Sequence, residues 1–245
     1  MRQSKLIEAA KAGDYGAVKA LLEHGANIDL ADEYGNTALM LAVRSGHEGV
    51  VKLLFEYGAD ADLANKNGDT ALMWAALNGR KDVVKTLLAH GVNANLFDEY
   101  GVTALILAVM TEHEDVVKLL LEYGADADLA NKNGDTALIW AAKNRHWSAK
   151  NRHKDVVKLL LEHGANIDLA DKNGDTALIW SARRGRKDVV ELLLEHGADA
   201  DLANKNGDTA LKLAARNGHE GTAKALSEHG QGRYGTKRIR TTMAP

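Results

Sequence analysis

The 245-residue chain has no cysteine, which excludes a disulfide framework, a thiolate zinc site and a cysteine nucleophile. That absence is compatible with a reducing compartment. Its only proline is Pro245, so no earlier turn or helix start draws on a proline-fixed φ. No run approaches the ~20 apolar residues needed to cross a bilayer. The opening MRQSKLIEAAKAGD lacks the apolar core of a signal peptide. With 45% hydrophobic and 27% charged residues, the expectation is a soluble, cytoplasmic or otherwise intracellular protein without a membrane partner.

Catalytic signatures are missing as well. The sequence contains no phosphate-binding G-x-x-x-x-G-K-[ST], no G-x-S-x-G and no H-E-x-x-H. The string NKNGD resembles part of a calcium loop, but the first ligand position falls on Leu63, Leu129, Leu169 or Leu202. A leucine cannot coordinate a hard cation, and the closing glutamate is absent too, as Trp74 shows. The ten histidines and the plentiful carboxylates recur with the period of the chain, so they read as scaffold. His146 and His153 lie too far apart for the adjacent-turn ligation of an i, i+4 pair. No catalytic residue, metal, cofactor or small-molecule substrate is expected, and the chain is not expected to be an enzyme.

What is present is repetition. ADADLANKNGDTAL stands at 59–72 and recurs unchanged at 125–138 and 198–211, with close variants at 26–39, 92–105 and 165–178. Glycines close apolar runs such as VVKLLLEHG at Gly25, Gly58, Gly91, Gly124, Gly164, Gly197 and Gly230, spaced 33, 33, 33, 40, 33 and 33 residues apart. The apolar residues before each glycine recur at helical spacing, and the glycine suits a left-handed C′ position. A histidine often precedes it (His24, His90, His163, His196, His229), placed to meet the last carbonyls of the helix. The Asn-Gly steps downstream suit a tight hairpin-like turn. Thr37, Thr70, Thr103, Thr136, Thr176 and Thr209 then stand as N-caps of a shorter first helix.

A fixed 33-residue period of turn, helix, helix resembles the ankyrin repeat family. The resemblance rests on Gly35, Thr37, Leu39, Ala42, Gly46, His47, Val50, Val51, Leu53, Leu54, Gly58, Ala59 and Asp60, and it returns in later copies across roughly residues 3–230. Thr-Ala-Leu replaces the family's Thr-Pro-Leu-His. Alanine is acceptable at a helix start, and Met40, Met73, Ile106, Ile139 and Ile179 offer apolar contact instead. The resemblance implies an all-α, ankyrin-type solenoid of seven stacked helix-turn-helix repeats with hairpin-like turns. The expected boundaries are an N-terminal cap at 1–31, repeats at 32–64, 65–97, 98–130, 131–170 and 171–203, a C-terminal cap at 204–230 and a basic tail at 231–245. The tail shows no helical or strand period.

The 40-residue repeat carries a seven-residue tandem duplication, WAAKNRH at 140–146 and then WSAKNRH at 147–153. Seven residues are nearly two helical turns. The expectation is a lengthened first helix that brings Trp147 to the surface, with Arg145 and Arg152 beside it. A tolerated insertion at an exposed turn is the alternative.

By resemblance, the turn tips and exposed first-helix positions line a concave groove that binds a protein or peptide. The residues at those places are Tyr34, Trp74, Leu77, Tyr100, Met110, Trp140, Lys143, Trp180, Arg183, Arg184 and Arg216, with Trp147 added by the insertion. Aromatics and arginine are enriched at binding hot spots, and simple inter-repeat packing is the competing role for each tryptophan. Residues 1–130 hold 11 Lys+Arg against 20 Asp+Glu, and residues 131–245 hold 20 against 14. The groove is therefore expected to turn basic from Lys132 onward and to meet acidic side chains there. Polyanion or nucleic-acid binding by the basic half and KRIR tail is a weaker alternative. An engineered or recently duplicated scaffold without a natural partner is another. A monomer is expected, with tail-mediated self-association as its rival.

Overall fold

The structure is a computed structural model that describes the backbone of residues 2–143 and 152–241 and the side chains of residues 5–143 and 154–230. Among the described residues it is all-helical, with fourteen helices and only isolated β-bridges. They are α1 (Arg2–Ala12), α2 (Tyr15–Glu23), α3 (Ala38–Ser45), α4 (Glu48–Glu56), α5 (Ala71–Leu77), α6 (Lys81–Ala89), α7 (Ala104–Met110), α8 (Glu114–Glu122), α9 (Ala137–Lys143), α10 (Arg152–Glu162), α11 (Ala177–Arg183), α12 (Lys187–Glu195), α13 (Ala210–Arg216) and α14 (Glu220–Thr241). The chain divides into two compact halves, Met1–Lys132 and Asn133–Pro245.

Each half is built in two layers. In the N-terminal half α1, α3, α5 and α7 stack in order, with α2, α4, α6 and α8 stacking behind them. In the C-terminal half α9, α11 and α13 form one layer and α10, α12 and α14 the other. The cause lies in the side chains. From α3 onward each first helix is short and mostly small or aliphatic, as in ALMWAAL, so Ala75 and Ala76 are fully buried and neighbouring helices pack closely on both sides. Each second helix buries one stripe, as Val83, Val84, Leu87 and Leu88 do on α6, and keeps a charged outer face. Truncating one of these leucines to alanine costs about 2–5 kcal/mol.

The expected punctuation is in place. All six threonines accept a hydrogen bond from the backbone N–H three residues on, at 3.3–3.4 Å. The rings of His24, His90, His163 and His196 meet the carbonyl four residues back through Nδ1 at 2.6–2.9 Å. The Asn-Gly turns differ in detail from a two-residue hairpin turn. Only the glycine takes positive φ, and the Gly68 N–H donates to the Asn65 carbonyl, giving an ordinary turn closed by one left-handed residue.

One expectation changes, and another falls outside the described residues. The sequence places a helix stop at Gly230 and a tail of no regular structure after it; instead α14 runs through Gly230 to Thr241. The physical difference lies in the connector. The other C′ glycines lead into Ala-Asp, Ala-Asn or Val-Asn, whereas Gly230 leads into Gln231 and Gly232. The lengthening of the duplicated repeat falls on residues 144–151, outside the described residues, as does Trp147. Downstream, α10 starts two residues earlier relative to its Val-Val pair than α12 does.

Candidate functional site

The turn tips are held by two sets of bonds. Within a tip, the Asp or Asn that opens the turn accepts from two backbone N–H groups. Asn65 Oδ1 takes those of Asn67 and Asp69, both at 2.9 Å, and Asp32, Asp98, Asp171 and Asn204 repeat the pattern. Burial pushes the Asp32 carboxyl up, but donors from Asn36, Tyr34 and Gly35 outweigh it and hold it below the ordinary carboxylate range. Between tips, one backbone N–H of the next repeat donates to the carbonyl of the last: Lys66 to Tyr34, Glu99 to Asn67, Lys132 to Tyr100, Lys172 to Asn133 and Lys205 to Asn173, at 2.8–3.0 Å. The result is a ladder in which side chains at the tips project from a rigid base.

This close spacing explains the turn glycine. A Cβ added at Gly35 would sit 2.8 Å from the Lys66 nitrogen, besides meeting the left-handed φ of +84°. The histidines of the Gly-His steps close the other end of the first helices. His47 meets the Lys11 carbonyl and His219 the Arg183 carbonyl through Nε2, at 3.1 and 3.2 Å. Arg80 and Arg186 stand at the same register and donate to the Arg44 and Ala141 carbonyls, each at 3.2 Å. Burial and the neighbouring Arg184 lower the Arg186 pKa. Exchange of His for Arg at one place agrees with a structural donor role for the ring.

The expected groove residues divide into three groups. Tyr34 and Tyr100 are 64% and 63% exposed at their tips, and Leu77 is exposed at the end of α5. Glu99, by its charge and a hydrogen bond, keeps the Tyr100 phenol pKa above its ordinary value. Met110, Trp74 and Trp140 are half-buried. Trp74 carries the Arg44 guanidinium 4.4 Å from its ring centroid, and Trp140 has Lys143 Nζ at 5.7 Å.

The third group corrects the sequence reading. Trp180, expected on the groove surface, is buried to 9% exposure. Its indole N–H donates to Asp171 Oδ2 at 3.0 Å, and Arg183, Lys143 and half-buried Arg184 stand 4.4, 4.8 and 5.6 Å from its ring. The residue is packing rather than an offered surface. The expected basic character of the second half is also countered from within. Lys143 Nζ lies 3.1 Å from Asp135, Arg183 Nη2 is 2.8 Å from Asp175, and Arg216 Nη2 is 3.0 Å from Asp208. In each case the partner is the residue just before the capping threonine, and the cation closes the first helix eight residues later. Asp135 and Asp175 are buried, so the pairs with Lys143 and Arg183 are charge-assisted and shielded, whereas Arg216 is exposed.

Arg44, absent from the sequence-derived site, occupies the same register as Lys143, Arg183 and Arg216. The residue before its threonine is Asn36, not aspartate. Among the described residues Arg44 has no carboxylate within 4.0 Å. Comparing the two register positions between repeats would have found it in the sequence. Arg44 borders a hollow of about 400 Å³ with Tyr34, Asn36, Asn65, Lys66, Asn67 and Trp74. The hollow brings two of the expected residues, Tyr34 and Trp74, to one place, and shows that tips and first helices of the N-terminal half share a face. No group of three or more His, Cys, Asp or Glu arranged to hold a metal occurs among the described residues, and no described helix is long and apolar enough to cross a membrane.

Comparison with known proteins gives a consistent picture. A family model for ankyrin repeats in three copies matches residues 2–65, 58–130, 90–149, 124–201 and 145–236. The crystal structure of the ankyrin repeat domain of Bcl-3, a member of the IkappaB protein family, is 32% identical at a TM-score of 0.79, over 91% of this chain and 97% of that one. The human ASB11 ankyrin repeat domain is 31% identical at 0.73, over 91% and 96%. No curated protein sequence matches the chain.

Proposed function

The chain belongs to the ankyrin repeat family, whose domains are in general protein–protein interaction modules, and we propose that it binds an extended protein segment or peptide on the face shared by its turn tips and first helices. The role is non-enzymatic: a preformed surface that recognises rather than transforms. The observation that carries this reading is the exposure of Tyr34, Tyr100 and Leu77 on a base fixed by the inter-tip hydrogen bonds. Large side chains on a rigid base lose little conformational freedom on binding, which favours affinity. Anchors of this kind contribute most of the binding energy at an interface.

Peptides selected by display against the intact chain provide the test. The triple substitution Tyr34→Ala, Leu77→Ala, Tyr100→Ala is expected to weaken a selected peptide by more than about tenfold. Tyr57→Ala with Tyr123→Ala, exposed residues at the ends of α4 and α8, is expected to change nothing. Unchanged binding in the triple variant, or loss only in the control, would reject this face. The self-neutralised cations Lys143, Arg183 and Arg216 weigh against a polyanion-binding role for the second half.

A further inference from the structure

We propose that the hollow between the first and second turn tips, those of Asp32 and Asn65, is a carboxylate pocket, which takes a glutamate or aspartate side chain of an acidic peptide lying across the N-terminal half. The proposal deepens the peptide-binding reading and rests on it. In the C-terminal half, each basic residue at the end of a first helix is matched by the aspartate eight residues before it. At Arg44 the same register recurs with the acid removed, and Arg44 and Asn36 line one hollow. Asn36 stands in the aspartate's place, and its amide is already engaged: Nδ2 donates to Asp32 Oδ2 and Oδ1 accepts from Asn65 Nδ2, both at 3.1 Å. In the C-terminal half Asn204 Nδ2 reaches Asp175 in just this manner, so Asn36 occupies the site of a partner carboxylate without supplying its charge.

The guanidinium is nevertheless held ready. It lies over the Trp74 ring, 4.4 Å from the centroid, a cation–π contact that leaves its N–H groups to pair with a carboxylate. Lys66 lies on the same rim, Tyr34 forms an aromatic wall, and no carboxylate lines the hollow. Charge complementarity therefore selects an acidic occupant. The neighbouring repeats add a register. Leu77 and Met110 hold the position of Arg44 one and two repeats on. Adjacent packed helices lie roughly 8–10 Å apart, and an extended chain advances about 3.3 Å per residue. An acid and an apolar residue spaced by about three positions would thus reach Arg44 and Leu77 together.

The test uses the full chain and three synthetic peptides on one neutral background: glutamate three residues from a leucine, the same peptide with glutamine, and the same with phosphoserine. Titration by NMR or fluorescence is expected to show the glutamate peptide binding roughly tenfold more tightly than the glutamine peptide. Asn36→Asp, which restores the internal partner seen in the C-terminal half, is expected to erase that preference while leaving the fold intact by circular dichroism. Arg44→Met should erase it as well and retain the weaker, apolar binding of the glutamine peptide. Equal affinity for glutamate and glutamine peptides, absence of binding by both, or a preference that survives both substitutions would overturn the pocket. Tighter binding of phosphoserine than glutamate would replace the carboxylate with a phosphate. Equal binding that is lost in the Tyr34, Leu77, Tyr100 variant would sink the carboxylate pocket yet leave the peptide-binding face standing.

Discussion

The two halves of the chain place different residues in one register. In the C-terminal half, the residue before the capping threonine and the residue that closes the first helix form acid–base pairs: Asp135 with Lys143, Asp175 with Arg183, Asp208 with Arg216. In the N-terminal half the same places hold Asn36 with Arg44, Asp69 with Leu77, and Val102 with Met110. The lesson is that net charge does not show which of these register cations lacks an acid partner. The half richer in Lys and Arg satisfies these cations internally, while the acidic half offers an arginine whose partner has been exchanged for an amide. Pairing consumes a charge; a repeat that breaks the pairing makes it available.

The largest expected effect comes from breaking a pair that is complete. Arg183→Met leaves Asp175 buried without its cation and is expected to lower unfolding free energy by about 3 kcal/mol in urea denaturation. Arg44→Met removes only a cation–π contact at an exposed site and should cost less than about 1 kcal/mol. Equal losses would erase the distinction between the halves. In the reverse direction, Leu77→Arg supplies Asp69 with the partner found in later repeats. A gain of at most about 1 kcal/mol is expected, together with weaker binding of a glutamate peptide's apolar anchor.

Two smaller tests concern single departures from the repeat. Ser181 is fully buried with an unpartnered hydroxyl, where the other described repeats place Ala42, Ala75, Ala108, Ala141 and Ala214. Ser181→Ala should stabilise by about 1 kcal/mol, visible as a raised Tm. Glu112 takes φ of +65° where four other repeats place Gly46, Gly79, Gly185 and Gly218, and among the described residues it is alone in this outside glycine. Glu112→Gly relieves a left-handed cost of about 1–2 kcal/mol, offset in part by glycine's greater freedom when unfolded. A net gain of a few tenths is expected, so a loss would mean that the Glu112 side chain contributes something else.

Much of the fold was legible because repetition supplies its own controls. The threonine caps, the C′ glycines and the histidines that meet helix-end carbonyls each recur at fixed places, and every recurrence tests the last. The site was less legible for a related reason. Trp74, Trp140 and Trp180 share one register, which suggests one exposed stripe, yet Trp180 has Asp171 to receive its indole N–H and three cations around it, and is buried. Partners drawn from other positions decide exposure, and a stripe read along one column misses them. Gly230 misleads similarly: its residue type matches, but the connector that makes use of a helix stop is absent.

The inter-tip hydrogen bonds carry an implication for how such an array tolerates change. The crowding at each turn glycine comes from the next tip along the chain, as Lys205 does at Gly174, whereas an added Cβ at Gly207 would meet nothing within 4 Å. The requirement at any one turn is thus written partly in its downstream neighbour. Shortening the chain from its C-terminal end would loosen the constraint on the newly exposed turn, and adding a copy would impose it. Sequence freedom in this protein is a property of location along the queue as much as of the residue itself.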